Sequence, residues 1–328
     1  MSDIEAIRTA AKRLHGHAKR TPMLHAPLLD EIAGRQVLVK AECLQLTGSF
    51  KYRGARAAVS ALSPEQRARG VLAFSSGNHA QGVALVAQQF GIPAVIIMPA
   101  DAPALKIANT KAYGAEIVLY DRANGASREA LGEELRETRG LTLIKPFDDH
   151  EVIAGQGTCG LEIADQASAL GVKDADVLVC CGGGGFTSGI ALALEAEAPG
   201  MQVRPVEPEG FDDVKRSLLS GHIETNNQQS GNICDAIITP SPGQITFPIL
   251  QKLCGPGLVV SEEEALQAMM HCFQRLKLVA EPGGAVALAA ALFRAQDLNA
   301  DTVICTISGG NVDADLFVRA LDSATATA

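Results

Sequence analysis

Short, mostly apolar runs separated by longer amphipathic stretches restrict this chain's fold more than any other feature. The runs are Val37–Lys40, Gly70–Phe74, Ala94–Met98, Glu116–Tyr120, Thr142–Ile144, Val177–Cys181, Gln202–Val206 and Thr302–Ile307. Runs this brief, apolar without alternation, suit strands buried on both faces, and the stretches between them suit crossover helices. The expectation is an α/β fold with open, mostly parallel sheets flanked by helices. At 328 residues the chain exceeds the ~250–300 at which single cores stop growing, so two lobes are expected.

Composition narrows the class. A hydrophobic fraction of 47% with 20% charged residues belongs to a packed chain, and only the Ala/Thr-rich end after Leu321 looks loose. The net charge of -9 is spread without a basic cluster, which argues against nucleic acid as a partner. The start lacks an apolar signal region, and no apolar run approaches the ~20 residues of a membrane span. A cytoplasmic protein without a membrane partner is expected. Cysteines stand at 43, 159, 180, 181, 234, 254, 272 and 305, without a Cys-x-x-Cys pair or zinc spacing, and read as buried reduced thiols.

In open α/β sheets ligands bind outside the carboxyl ends of strands, and four turns stand out. Thr47-Gly-Ser-Phe-Lys-Tyr-Arg-Gly-Ala55 sets Lys51 at a helix mouth. A helix lysine is ordinarily a solvated charge. A cation is disfavoured at a helix N-terminus, however, which suits an amine that must lose its proton to form an imine. Phe74-Ser-Ser-Gly-Asn-His-Ala-Gln-Gly82 gathers hydroxyls, amides and a carboxamide at a helix start. It reads either as a plain N-cap or as a seat for a carboxylate. Cys180-Cys-Gly-Gly-Gly-Gly-Phe-Thr-Ser-Gly189 spends backbone entropy that a simple connection does not need. Its amides suit a phosphate. Ile307-Ser-Gly-Gly-Asn-Val-Asp313 is the fourth, a plain turn if taken alone. A nicotinamide oxidoreductase is the rival for the tetraglycine, but Gly-x-Gly-x-x-Gly fails from Gly182, Gly183 and Gly184 alike.

Together, in this order, the four segments resemble the fold type II pyridoxal-phosphate (PLP) family of threonine dehydratases, serine racemase and 3-hydroxyaspartate dehydratases. Pro146-Phe-Asp-Asp, Val152-Ile-Ala-Gly-Gln-Gly-Thr and Glu281-Pro add to the match, which covers nearly the whole chain. The resemblance implies a large domain of residues 1–67 and 148–328 and a small mobile domain of 68–147, in a homodimer. It makes Lys51 the Schiff-base lysine and general base, sets Phe50 against the cofactor ring and Asn78 at its 3-hydroxyl. Gly182, Gly183, Gly184 and Gly185 would hold the phosphate, and Ser308 would meet the pyridine nitrogen. Ser75, Ser76, Gly77, Asn78 and His79 would hold the substrate carboxylate. Glu207, the Phe211 carbonyl and Asp213 match a divalent-cation segment suited to Mg²⁺ or Ca²⁺, with a metal-free acidic loop as the alternative.

The implied activity is dehydration and deamination of a β-hydroxy-α-amino acid of the threonine or serine type to a 2-oxo acid and ammonia. Ser76, where threonine dehydratases often carry Ala, points to racemisation, since a hydroxyl opposite Lys51 can return a proton to the other face. Ala236 and Thr239-Pro240 depart from the family's usual residues and keep a β-aryl serine open as substrate. Arg128 suits a second carboxylate, as in 3-hydroxyaspartate, or is an exposed helix arginine. No regulatory domain is expected after Ser308-Gly-Gly-Asn. A non-catalytic ligand-binding protein is the remaining alternative.

Overall fold

The computed structural model describes residues 2–75, 77–100, 104–121, 127–228 and 230–322. Its strands are β1 (Met23–His25), β2 (Gln36–Ala41), β3 (Val71–Phe74), β4 (Ala94–Pro99), β5 (Glu116–Tyr120), β6 (Thr142–Leu143), β7 (Ala175–Cys180), β8 (Met201–Pro208), β9 (Leu258–Val260) and β10 (Thr302–Ile307). They form a six-stranded sheet, β1-β2-β10-β7-β8-β9, and a four-stranded sheet, β5-β4-β3-β6. Every pairing is parallel except β1 with β2. Each of the eight apolar runs falls in a strand. The two strands absent from that reading, β1 and β9, are three residues long and lie at the sheet's edges, where a short segment carries no periodicity to read.

Burial follows the crossover logic. All six residues of β7 are buried, and helix Pro282–Phe293, apolar all round, is buried from Pro282 to Leu292 against the large sheet. A helix with no polar face has to lie inside. Helices His150–Ala169 and Gly185–Glu197 touch through glycines: a Cβ on Gly189 would stand 2.5 Å from the Gly157 nitrogen. All eight cysteines are free thiols, and seven are fully buried. None of the described helices is long and apolar enough to cross a membrane.

Beneath helix Lys51–Ala61 lies a buried ionic network. Arg53 donates through Nε and Nη2 to both Glu42 oxygens at 2.7 and 2.8 Å, and through Nη1 and Nη2 to both Glu162 oxygens at 2.7 and 2.9 Å. Lys40 Nζ reaches Glu162 at 2.6 Å, Gln166 at 2.9 Å and the Thr21 carbonyl at 2.8 Å. Burial alone would raise the Glu42 carboxyl, but the Arg53 and Lys40 charges hold it below the ordinary carboxylate range. The network joins the segment after the first helix, β2, helix Lys51–Ala61 and helix His150–Ala169.

Breaking one partner of such a buried pair costs about 3–5 kcal/mol, because the other charge stays behind. Arg53→Leu should therefore lower unfolding stability by that amount in denaturant titrations at unchanged slope. A loss under about 1 kcal/mol would show that Glu42 finds other compensation.

Candidate active site

A cavity of about 750 Å³ opens between the two sheets, at the carboxyl ends of β3, β7 and β10, and all four unusual turns contribute to its wall. Lys51 is the first residue of its helix, which has no acid in its first turn. The chain enters through two left-handed residues, Thr47 (φ 61°) and Gly48 (φ 73°). A side chain at 48 is shut out, since a Cβ would fall 2.7 Å from Asn311 Oδ1. Lys51 Nζ donates to the Pro146 carbonyl at 2.8 Å. Burial pushes its pKa down to about 8 from the ordinary 10.5, against an opposing pull from the Glu281 carboxylate.

Phe50 lines the cavity and stacks on Phe186, with ring centroids 4.0 Å apart. Asn78 opens helix Asn78–Phe90, and Ser75, Gly77 and His79 also line the wall. His79 Nε2 meets the Ile144 carbonyl at 2.8 Å, and burial with the neighbouring Lys51 charge pushes the ring's pKa down to about 3. The imidazole is neutral at physiological pH. Ser76, on which the racemase expectation turns, lies outside the described residues.

Gly182 to Gly185 run from the end of β7 into helix Gly185–Glu197 and admit no side chain. A Cβ at 182 would meet the Ile237 carbonyl at 2.9 Å, and one at 183 the Phe147 ring at 2.3 Å. The Gly183 carbonyl accepts from Gly243 N and Thr246 Oγ1, and the Gly184 carbonyl from Ser188 N. The amides of the helix's first turn have no intrahelical acceptor. The loop is thus a cradle of donors with the helix dipole behind it, fitted to a phosphate.

Ser308 is 4% exposed, and its hydroxyl lies against the Cys180 thiol, which is itself in the cavity wall. Burial raises the Cys180 pKa, so the thiol stays protonated. Sequence reading took Cys180 only for a buried thiol and gave no role to Phe147, Asn311 or Glu281. The signals for these were their places in Pro146-Phe-Asp-Asp, Ser308-Gly-Gly-Asn and Glu281-Pro. Asp235 to Gly243, the stretch containing Ala236 and Thr239, also lines the cavity. Arg128 does so from the first position of helix Arg128–Arg139, its side chain half exposed and bonded to Glu129 at 2.7 Å.

The acidic segment lies elsewhere. Glu207, fully buried at the end of β8, accepts from Val214 N at 2.9 Å and Lys215 N at 2.8 Å. Asp213 Oδ1 accepts from Asn226, while Oδ2 is buried without a partner. Burial raises both carboxyls, Asp213 to about 7 and Glu207 well above its usual range, the latter with help from Asp213. Phe211 is buried. Among the described residues there is no group of three or more His, Cys, Asp or Glu poised to hold a metal.

The model of the family described as "Pyridoxal-phosphate dependent enzyme" matches residues 14–309. This chain belongs to the pyridoxal-phosphate dependent enzymes. Among relatives of this PLP-enzyme chain, the L-threo-3-hydroxyaspartate ammonia-lyase of Pseudomonas sp is 43% identical over 324 residues, covering 98% of this chain and 99% of the relative. The serine racemase of Schizosaccharomyces pombe is 41% identical, with 96% of each chain covered. A solved threonine deaminase, that of T.th., superposes with a TM-score of 0.89 at 45% identity, covering 95% of this chain and 99% of that one. The fold is that of the fold type II PLP enzymes, and the cradle, the buried lysine and the carboxamide at Asn78 suit PLP chemically.

A lysine with its pKa near 8 is an amine under mildly alkaline conditions, where exposed lysines remain ammonium ions. In PLP-free protein, competitive acylation of Lys51 across pH should therefore reach half its maximum near pH 8. A midpoint near 10.5 would contradict the burial that sets this value.

Proposed function

We propose that this chain is a PLP-dependent ammonia-lyase acting on a β-hydroxy-α-amino acid with a second carboxylate, 3-hydroxyaspartate. The observation that carries the choice is Arg128. Among the described residues lining the cavity, Lys51 and Arg128 are the two lysine or arginine side chains, and the Arg128 side chain is half exposed. A guanidinium pairs carboxylates bidentately. The name printed for the Pseudomonas relative supports the same substrate.

Bound PLP supplies an electron sink for a carbanion at the substrate's α-carbon. The chain's own residues do the rest. Lys51 would both attach the cofactor and, with burial lowering its pKa to about 8, take the α-proton as general base. Ser75 and Gly77 with the first-turn amides of helix Asn78–Phe90 receive the α-carboxylate, the anion that a helix N-terminus favours. Ser76 belongs to the same loop by resemblance. The glycine cradle would take the cofactor phosphate, Phe50 would lie against the ring, and Ser308 would meet the pyridine nitrogen. Loss of the α-proton and the β-hydroxyl as water gives an enamine that tautomerises to an imine, and one water then hydrolyses the imine, so ammonia is the net loss and a 2-oxo dicarboxylic acid remains.

Residues 68–147 form the small domain in this reading, carrying Asn78 and Arg128 to the substrate, and the enzyme is a cytoplasmic homodimer. Both statements rest on family resemblance. At the acidic segment, Glu207, Asp213 and the Phe211 carbonyl would be the ligands of Mg²⁺ or Ca²⁺, and Asp213 Oδ2, buried without a partner, supports that reading.

The test is a panel of L-serine, L-threonine, both 3-hydroxyaspartate diastereomers and phenylserine, scored for oxo acid, ammonia and inverted amino acid. Hydroxyaspartate should give the highest kcat/KM. Arg128→Leu should reduce that value about ten- to a hundredfold, the worth of a charge-assisted hydrogen bond, while changing serine turnover less than about threefold. Equal losses for both substrates would remove Arg128 as the carboxylate partner, and inversion without ammonia would make the enzyme a racemase.

A further inference from the structure

Glu281 occupies the N-cap position of helix Pro282–Phe293, yet its side chain makes no capping bond. Glutamate is also not among the residue types that cap well. The side chain runs instead into the active-site wall, where the residue is 4% exposed, and Oε1 accepts from Asn78 Nδ2 at 2.6 Å. The fold makes space for it. A Cβ on Gly309 would lie 1.9 Å from the same Oε1. A buried carboxylate held this closely, and unused by its own helix, is there for what it contacts.

What it contacts is a carboxamide gripped from both ends. Asn311 Nδ2 donates to the Thr47 carbonyl at 2.8 Å and to Asn78 Oδ1 at 2.7 Å. A backbone carbonyl only accepts, so it fixes the amine end of Asn311, and Asn311 in turn fixes the oxygen end of Asn78. The nitrogen of Asn78 then faces Glu281, which when ionised also only accepts. One Asn78 N–H remains for a third partner. We propose that Glu281 is a positioning residue for the cofactor: it holds Asn78 so that its remaining N–H, and not its oxygen, is presented to the ring oxygen of PLP. With the amide reversed, Asn78 Oδ1 would face another oxygen, and a hydrogen bond would become a repulsion.

The inference rests on the reading that Asn78 faces the cofactor ring, and it is independent of which hydroxy amino acid is the substrate. Its test is a double-mutant cycle read as the PLP dissociation constant, from loss and return of the visible absorption of the intact enzyme. Glu281→Leu and Asn78→Ala should each weaken PLP binding about tenfold. The double variant should lose clearly less than the sum of the two single losses, because Glu281 reaches the cofactor ring through that side chain. Glu281→Gln keeps an acceptor and should restore affinity to within about threefold of the parent. Gly309→Ala displaces the carboxylate and should match Glu281→Leu, which it replaces in the cycle should the leucine variant not fold. Additive losses in the double variant, no rescue by glutamine, or parental affinity in Glu281→Leu would each overturn the proposal. Parental affinity in Asn78→Ala would instead sink the reading of Asn78 itself.

Discussion

Two buried cations, one buried carboxylate and one partly buried carboxylate under helix Lys51–Ala61 determine where the chemistry can happen. Arg53 is fully buried against Glu42 and Glu162, and Lys40 completes the neutral set from β2. Such a set adds little net stability over a well-packed apolar one, because desolvation offsets attraction. Its value here is direction. Residues two apart on a helix point roughly 200° from one another at 3.6 residues per turn. With Arg53 locked against Glu42 and Glu162, Lys51 faces the opposite way, toward the cavity.

The cavity's electrostatics then follow from the parallel sheets. Strands running the same way end on the same side, so the turns after β3, β7 and β10 converge, and two of them open into helix N-termini that favour anions. Those two seats suit a carboxylate and a phosphate. Lys51, at a third helix start, is pushed toward its neutral form by burial, and a helix N-terminus disfavours its charged form as well. Glu281 resists that push, and it also engages Asn78 across the cavity. The same carboxylate thus acts on both the base and the residue facing the ring.

The fold was legible because its strands are buried on both faces, which writes apolar runs such as Val177–Cys181 directly into the chain. β1 and β9 escaped, being three residues long with nothing to repeat. The turns were legible because glycine strings and Ser-Gly-Asn clusters have few other uses. Side-chain direction was not. Nothing local in Glu281-Pro says that the carboxylate bonds to a residue 203 positions earlier, nor does the sequence say that Cys180 reaches the cavity wall. Glu207 is a related case: nothing in its sequence pattern says that its two oxygens accept from the amides of Val214 and Lys215. Pairings of this kind are set by how strands and helices stack, and a sequence records them only at positions, such as Gly309, where a neighbour has excluded a side chain.

The central claim is that Lys51, of all the chain's lysines, carries the cofactor. Borohydride reduction of the holoenzyme followed by peptide mass analysis tests it most directly. The visible band should disappear on reduction, and the pyridoxyl mass should reside on the peptide containing Lys51 and on no other. A band that survives reduction, or a label on a different lysine, would contradict the account.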